Sequence, residues 1–199
     1  MAPRIVYSPL TEGIFCQGLF CSNRGMNMRS QTKNTTRNIV TTALLAALVC
    51  VATMLIKIPS PLKGYLNLGD GIVLLCGWLL SPVYGFLAAG IGSGLADLFA
   101  GYVIYVPATF AIKGLMAVVA YYGFRLLCKR IGNIPAMVIA GILAEIIMVL
   151  GYYVFEGFLY GFAESLVNIP ANAVQGVAGI ILGTVLSKTF QKTNLFIKA

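Results

Sequence analysis

GYLNLGDGIVLLCGWLLSPVYGFLAAGIGSGLADLFAGYVIYVPATFAIKGLMA, residues 64–117, carries only three charged side chains, Asp70, Asp97 and Lys113, in a succession of apolar runs broken at Gly and Pro. An apolar helix needs roughly 20 residues, at 1.5 Å each, to cross a ~30 Å hydrocarbon layer. Residues 82–101 and 106–127 meet that length. The run before them does not: Asp70 to Leu80 is about 11 residues, or roughly 16 Å of helix. The missing depth falls to IPSPLKGYLNLG, residues 58–69. Non-helical backbone survives at that depth only if protein buries it or it lines a cavity. A short second helix under a re-entrant outer loop is therefore expected, with Asp70 as its N-cap.

The rest of the chain fits the same class. Of 199 residues, 59% are apolar and 10% charged, and the mean hydropathy is +0.88. A soluble domain is about one quarter charged, so the sequence predicts an integral membrane protein. Apolar runs predict six transmembrane helices, at 38–57, 69–80, 82–101, 106–127, 134–156 and 165–190, in one all-α bundle spanning residues 28–199. Pro82, Pro107 and Pro135 open three of them, where a missing N–H costs no helical bond. Residues 1–27 fit neither a signal peptide nor a span and are expected to form a disordered extension, with Met26 or Met28 the more natural start.

The net charge of +8 is distributed by topology. Arg4, Arg24, Arg29, Lys33 and Arg37 precede the first span, Arg125, Lys129 and Arg130 follow the fourth, and Lys188, Lys192 and Lys198 follow the sixth. Only Lys57 and Lys63 lie on the other side. That bias predicts cytoplasmic N- and C-termini in a multi-pass membrane protein, and leaves no reason to expect nucleic acid as a partner. The absence of histidine removes Ser-His-Asp and Cys-His catalysis and His-ligated metals. No C-x-x-C pair is present, and Cys50, Cys76 and Cys128 read as small apolar packers. No enzyme activity, metal or cofactor is expected.

Charge inside a span costs about 2.5–3.5 kcal/mol at a helix centre, so Asp97, Lys113 and Glu145 demand either pairing or a polar cavity. Asp97 and Lys113 lie at similar depth, and two readings stay open: a structural ion pair, or part of the site. Glu145 has no evident partner in the sequence. With Met148, Tyr152 and Glu156 it forms one helical face. Asn168, Asn172, Gln175 and Gly179 descend along a single face of the last helix. Thr109 and Lys113 continue the pattern on the fourth, with Tyr102 and Tyr105 at its entrance. Intramembrane amides also act as interhelical glue, but three opposite a carboxylate stripe favour a ligand. No phosphate-cradling G-x-x-x-x-G-K-[ST] loop occurs, so ATP-driven work would fall to other subunits.

Several short features now fall in order: A-L-L-A-A at Ala43 to Ala47, N-L-G-D at Asn67 to Asp70, a Gly-rich third helix ending in Ala96-Asp97-Leu98, Tyr-x-Pro-x-Thr-Phe-x-x-Lys-Gly from Tyr105 to Gly114, and Asn-x-x-Gln at Asn172 to Gln175. Over residues 28–190 the chain resembles the substrate-binding S components of energy-coupling factor (ECF) vitamin transporters. That resemblance implies capture of a vitamin from outside for import by an ABC-type complex of a transmembrane coupling subunit and two cytoplasmic ATPases. It also implies that Ala43 and Ala47 contact the coupling subunit and that the outer loop lids the pocket. The run at Tyr105 to Gly114 is most similar to members taking pyridoxine or hydroxymethylpyrimidine, with riboflavin binders as relatives.

The expectation is a binding subunit in which Asn168, Asn172, Gln175, Glu145, Lys113 and Tyr152 hold the ligand, with Asp97, Tyr105 and Thr109 in the same outer cluster. The loop bearing Tyr65 and Asn67 closes over it. A riboflavin-specific S component is the nearest alternative. An autonomous transporter or channel using Asp97, Lys113 and Glu145, an intramembrane enzyme using Glu145 and Asp97, and a purely structural subunit are the others.

Overall fold

The computed structural model describes residues 28–55, 58–59 and 65–192. The expected extension at 1–27 lies outside them. Six helices form the architecture: α1 (Met28–Leu55), α2 (Gly69–Leu79), α3 (Pro82–Phe99), α4 (Val106–Ile131), α5 (Asn133–Tyr160) and α6 (Ile169–Lys192). A small antiparallel ribbon joins α1 to α2, pairing β1 (Ile58–Pro59) with β2 (Tyr65–Leu66). Five stretches are long and apolar enough to cross a membrane: 35–55, 82–99, 103–131, 133–160 and 162–189.

The short helix is the hub. α2 packs against α1, α3, α4 and α6, and every residue from Gly69 to Trp78 is buried. A helix apolar on all sides can be buried on every face without stranding a polar group. α2 therefore does not span beside the others; it stands inside them, with Val73, Leu74, Leu75 and Trp78 filling the centre. Its 11 residues need not match the bilayer, because its ends meet protein.

Small residues bring the surrounding helices close. A methyl group on Gly77 of α2 would meet Ala120 Cβ of α4 at 2.8 Å, and one on Gly90 of α3 would meet Phe110 O at 2.8 Å. Gly114 of α4 leaves space that the Phe86 ring of α3 fills. Without a hydrophobic force between helices in lipid, such close contact is the main source of cohesion. The outer surfaces carry exposed Leu44, Leu126, Phe158 and Val174, as contact with lipid requires.

Breaks fall where the sequence places them. Pro82 is the first residue of α3, following extended Ser81, and Pro107 is the second of α4. Gly132, with φ +82, makes the tight reversal from α4 to α5, and Gly161, with φ +107, ends α5. Both angles lie in the region that only glycine enters without strain. After Gly161, one helical turn (Phe162–Ser165) and a 3-10 turn (Leu166–Asn168) lead into α6.

One expectation is corrected. Asp70 is not the N-cap of α2: that position is Leu68, and the Gly69 N–H donates instead to Asn67 Oδ1 at 2.9 Å. Asp70 pairs instead with Lys113, whose partner the sequence left open. The cause is the interior position of α2, wedged between α4 and α6, which turns the Asp70 carboxylate toward both.

Candidate functional site

α3 ends, α4 begins, α5 ends and α6 begins at one end of the bundle, and there a cleft opens to solvent. Asn67, Asp97, Tyr102, Tyr105, Thr109, Tyr152, Glu156, Asn168, Asn172 and Gln175 line it.

The α3–α4 corner supplies four of these. Gly101, with φ +83, reverses the chain, the Tyr102 N–H donates to Asp97 O at 2.9 Å, and the turn Val103–Tyr105 runs into α4. Tyr152 and Glu156 lie one turn apart on α5, and Asn172 and Gln175 share a face of α6. Ser165 Oγ donates to Tyr153 O at 2.9 Å, fixing the turn that presents Asn168 against α5.

The wall is tied together by its own polar groups. Asn168 Nδ2 donates to both Glu156 oxygens at 2.9 Å, and Tyr105 OH reaches Glu156 Oε1 at 3.5 Å. Thr109 Oγ1 and Tyr152 OH are 3.0 Å apart. Below them, Gln175 bridges two elements: its Oε1 accepts from the Asn67 N–H at 2.9 Å and its Nε2 donates to Asp70 Oδ2 at 2.6 Å. The other Asp70 oxygen accepts from Lys113 Nζ, and both side chains are almost fully buried. The Lys113 ammonium also lies 5.6 Å from the centre of the Tyr152 ring.

Of the residues singled out in the sequence, Asn67, Asp97, Tyr105, Thr109, Tyr152, Asn168, Asn172 and Gln175 come together in the cleft wall. Lys113 and Glu145 do not line it. Lys113 is held beneath it by Asp70, while Glu145, about 10 Å further along α5 than Tyr152, is 5% exposed and neither oxygen has a hydrogen-bond partner among the described residues. α6 approaches closely there: a methyl on Gly176 would fall 3.1 Å from Glu145 Oε2, and one on Gly179 3.1 Å from Oε1. Tyr65 lies in β2, two residues before Asn67, and its side chain is outside the described residues. Tyr102 and Glu156, which the sequence placed at the entrance and on the polar face of the fifth helix but not among the ligand-holding residues, complete the wall.

Among the described residues, two carboxylates, four carboxamides, three phenols and one hydroxyl line the cleft. That set offers aromatic faces for stacking and donors and acceptors for a polar ring. Among the described residues no cluster of acidic or cysteine side chains could hold a metal ion.

Comparison with known proteins agrees with this architecture. The family model for the ECF-type riboflavin transporter, S component, matches residues 33–192. An uncharacterized protein in a gap 3'region of Pyrococcus woesei is 37% identical over 145 residues, covering 72% of this chain and 95% of its own length. The thiamine precursor transporter HmpT of Lactococcus lactis subsp. cremoris is 24% identical over 170 residues, covering 84% and 96%. A solved S component of a bacterial ECF transporter superposes with a TM-score of 0.62 at 21% identity, covering 81% of this chain and 99% of the other; it shares the fold.

Proposed function

The chain belongs to the ECF-type S components, non-enzymatic substrate-binding membrane subunits of vitamin uptake, and from that premise we propose that it captures a small heteroaromatic vitamin precursor of the hydroxymethylpyrimidine or pyridoxine type. The observation that carries this reading is the composition of the cleft wall. An aminopyrimidine presents adjacent ring nitrogen and amine, which suit a carboxylate, and a hydroxymethyl group, which suits an amide. Asp97 or Glu156 would take the first, and Asn168, Asn172 and Gln175 the second, with Tyr102, Tyr105 or Tyr152 stacked on the ring. Asn67 and Tyr65 belong to the segment that would close the mouth. Lys113 and Glu145 support the wall from behind.

The similarity to HmpT, named for a thiamine precursor, supports this ligand class. The match to the riboflavin-type family favours a second reading, in which the wall holds an isoalloxazine ring and a ribityl chain. The basic residues support an outward cleft: Arg37, Arg125, Lys129, Arg130 and Lys188 all lie toward the opposite end of their helices from the cleft. With that end cytoplasmic, the cleft faces outside and both termini face the cytoplasm of a prokaryotic cell. A coupling subunit and two ATPases would supply the work, docking on α1 where Ala43 and Ala47 are exposed.

Titration calorimetry of the purified chain in lipid nanodiscs with hydroxymethylpyrimidine, pyridoxine and riboflavin tests the assignment. Saturable binding of either of the first two, tighter than riboflavin, is the expected result. Riboflavin alone binding would establish the second reading, and no binding by any of the three would remove both.

A further inference from the structure

We infer that Gln175 is a positioning residue for ligand capture: it acts on the ligand through Asn67, by tying the turn that enters α2 to the face of α6. The inference rests on the vitamin-binding reading and divides the amides given to the ligand, leaving direct contact with the hydroxymethyl group to Asn168 and Asn172. A carboxamide accepts through its oxygen and donates through its NH2 group. At Gln175 protein engages both. Oε1 accepts from the Asn67 N–H at 2.9 Å, and Nε2 donates to Asp70 Oδ2 at 2.6 Å. Asn67 and Asp70 are the two ends of residues 67–70, the turn that opens α2, so one side chain holds both ends of it. Little of that side chain is left for a ligand: Gln175 lines the cleft yet is only 5% exposed.

The amide cannot turn over in this seat. A backbone N–H only donates, and a carboxylate paired with the Lys113 ammonium only accepts, so the reversed amide would set donor against donor and acceptor against acceptor. The turn is confined from its other sides as well. Asn67 Oδ1 accepts from the Gly69 N–H at 2.9 Å, a methyl on Gly69 would collide with Thr53 Oγ1 of α1, and a methyl on Gly179 of α6 would lie 2.8 Å from Asp70 Cβ. α6 thus meets this turn closely, and Gln175 is the polar group that joins them. Without its amide, the Asn67 N–H loses its acceptor in the cleft wall, where an unmet donor is costly, and the turn is released from α6. Asn67 is part of the lining and moves with the turn.

The test is titration calorimetry of the full chain in nanodiscs with three matched pairs: hydroxymethylpyrimidine and the analogue with methyl in place of hydroxymethyl, pyridoxine and its deoxy form, riboflavin and lumiflavin. For the pair whose parent binds, Gln175→Met is expected to weaken the parent about 10-fold, and the analogue by the same factor to within about twofold. The exchange Gln175→Glu/Asp70→Asn keeps an acceptor for the Asn67 N–H, reverses the second hydrogen bond and retains one negative charge near Lys113. It is expected to recover most of the lost affinity. A loss seen with the parent and absent with the analogue overturns the inference and makes Gln175 a direct contact. A lowered thermal midpoint with unchanged affinity also overturns it, leaving Gln175 a brace for the fold alone. If Gln175→Met fails to fold, the exchange variant decides: near-native affinity upholds the tie, and a folded variant about 10-fold weaker or more overturns it. Each of these outcomes leaves the vitamin reading intact. Failure of all three parents to bind removes that reading and the inference with it.

Discussion

At Asp70 one side chain carries more of the structure than any neighbour. Its carboxylate, fully buried in α2, binds Lys113 of α4 and Gln175 of α6, while Gln175 reaches back to the backbone of Asn67. Removing one member of a buried ion pair strands the other charge, at a cost of about 3–5 kcal/mol. Asp70→Ala should therefore lower the thermal unfolding midpoint in detergent sharply. The double variant Asp70→Leu/Lys113→Met, which removes both charges, should recover most of that loss. Equal destabilisation by the single and double variants would mean that the pair itself contributes little. The sequence displayed Asp97, Lys113 and Glu145 as the charges to be explained and gave Asp70 a capping role, so it did not show which would pair. Depth along a helix can be counted from residue numbers. The side of α4 that faces an interior helix cannot, because it depends on how the whole bundle packs.

Among the elements, α2 is where length and composition were most informative and least sufficient. Its brevity was legible from Asp70 to Leu80, and so was the need for a non-helical segment ahead of it. Its position inside a ring of helices was not, since an apolar run reads alike whether lipid or protein surrounds it. The glycines hold the more testable consequence. A side chain on Gly77 would strike Ala117 and Ala120 of α4, whereas Gly94 of α3 has no neighbouring atom nearer than 3.7 Å to its added methyl. Gly77→Val should cost about 1–3 kcal/mol or more by overpacking, and Gly94→Ala should be neutral or stabilising by up to about 1 kcal/mol through helix propensity. Thermal midpoints measured side by side check the pair; similar behaviour of the two would contradict the close approach of α2 and α4. The polar line on α6 and the Tyr152–Glu156 face of α5 were legible because period 3.6 alone aligns them. The cleft also needed the α3–α4 corner, which depends on the reversal at Gly101.

For the molecule as a whole, binding and delivery are assigned to different surfaces. The cleft sits among α3 to α6, while Ala43 and Ala47 face outward on α1. Ala43→Leu/Ala47→Leu should leave ligand affinity within about twofold while reducing uptake by cells containing the coupling complex at least about tenfold, since bulk at a small-residue helix interface blocks close approach. Parallel loss of affinity would place those alanines in support of the cleft instead. The membrane class, the six helices and most of the cleft wall could be read from the chain, because each follows from length, period or the cost of a charge in lipid. The identity of the ligand could not, since amides, phenols and carboxylates serve several heteroaromatics. The most direct measurement is the affinity of the nanodisc-embedded protein for hydroxymethylpyrimidine before and after Asn172→Ala. The cleft assignment predicts about 3- to 10-fold weaker binding, the loss of one hydrogen bond. An unchanged isotherm in that variant and in Thr109→Val would contradict it.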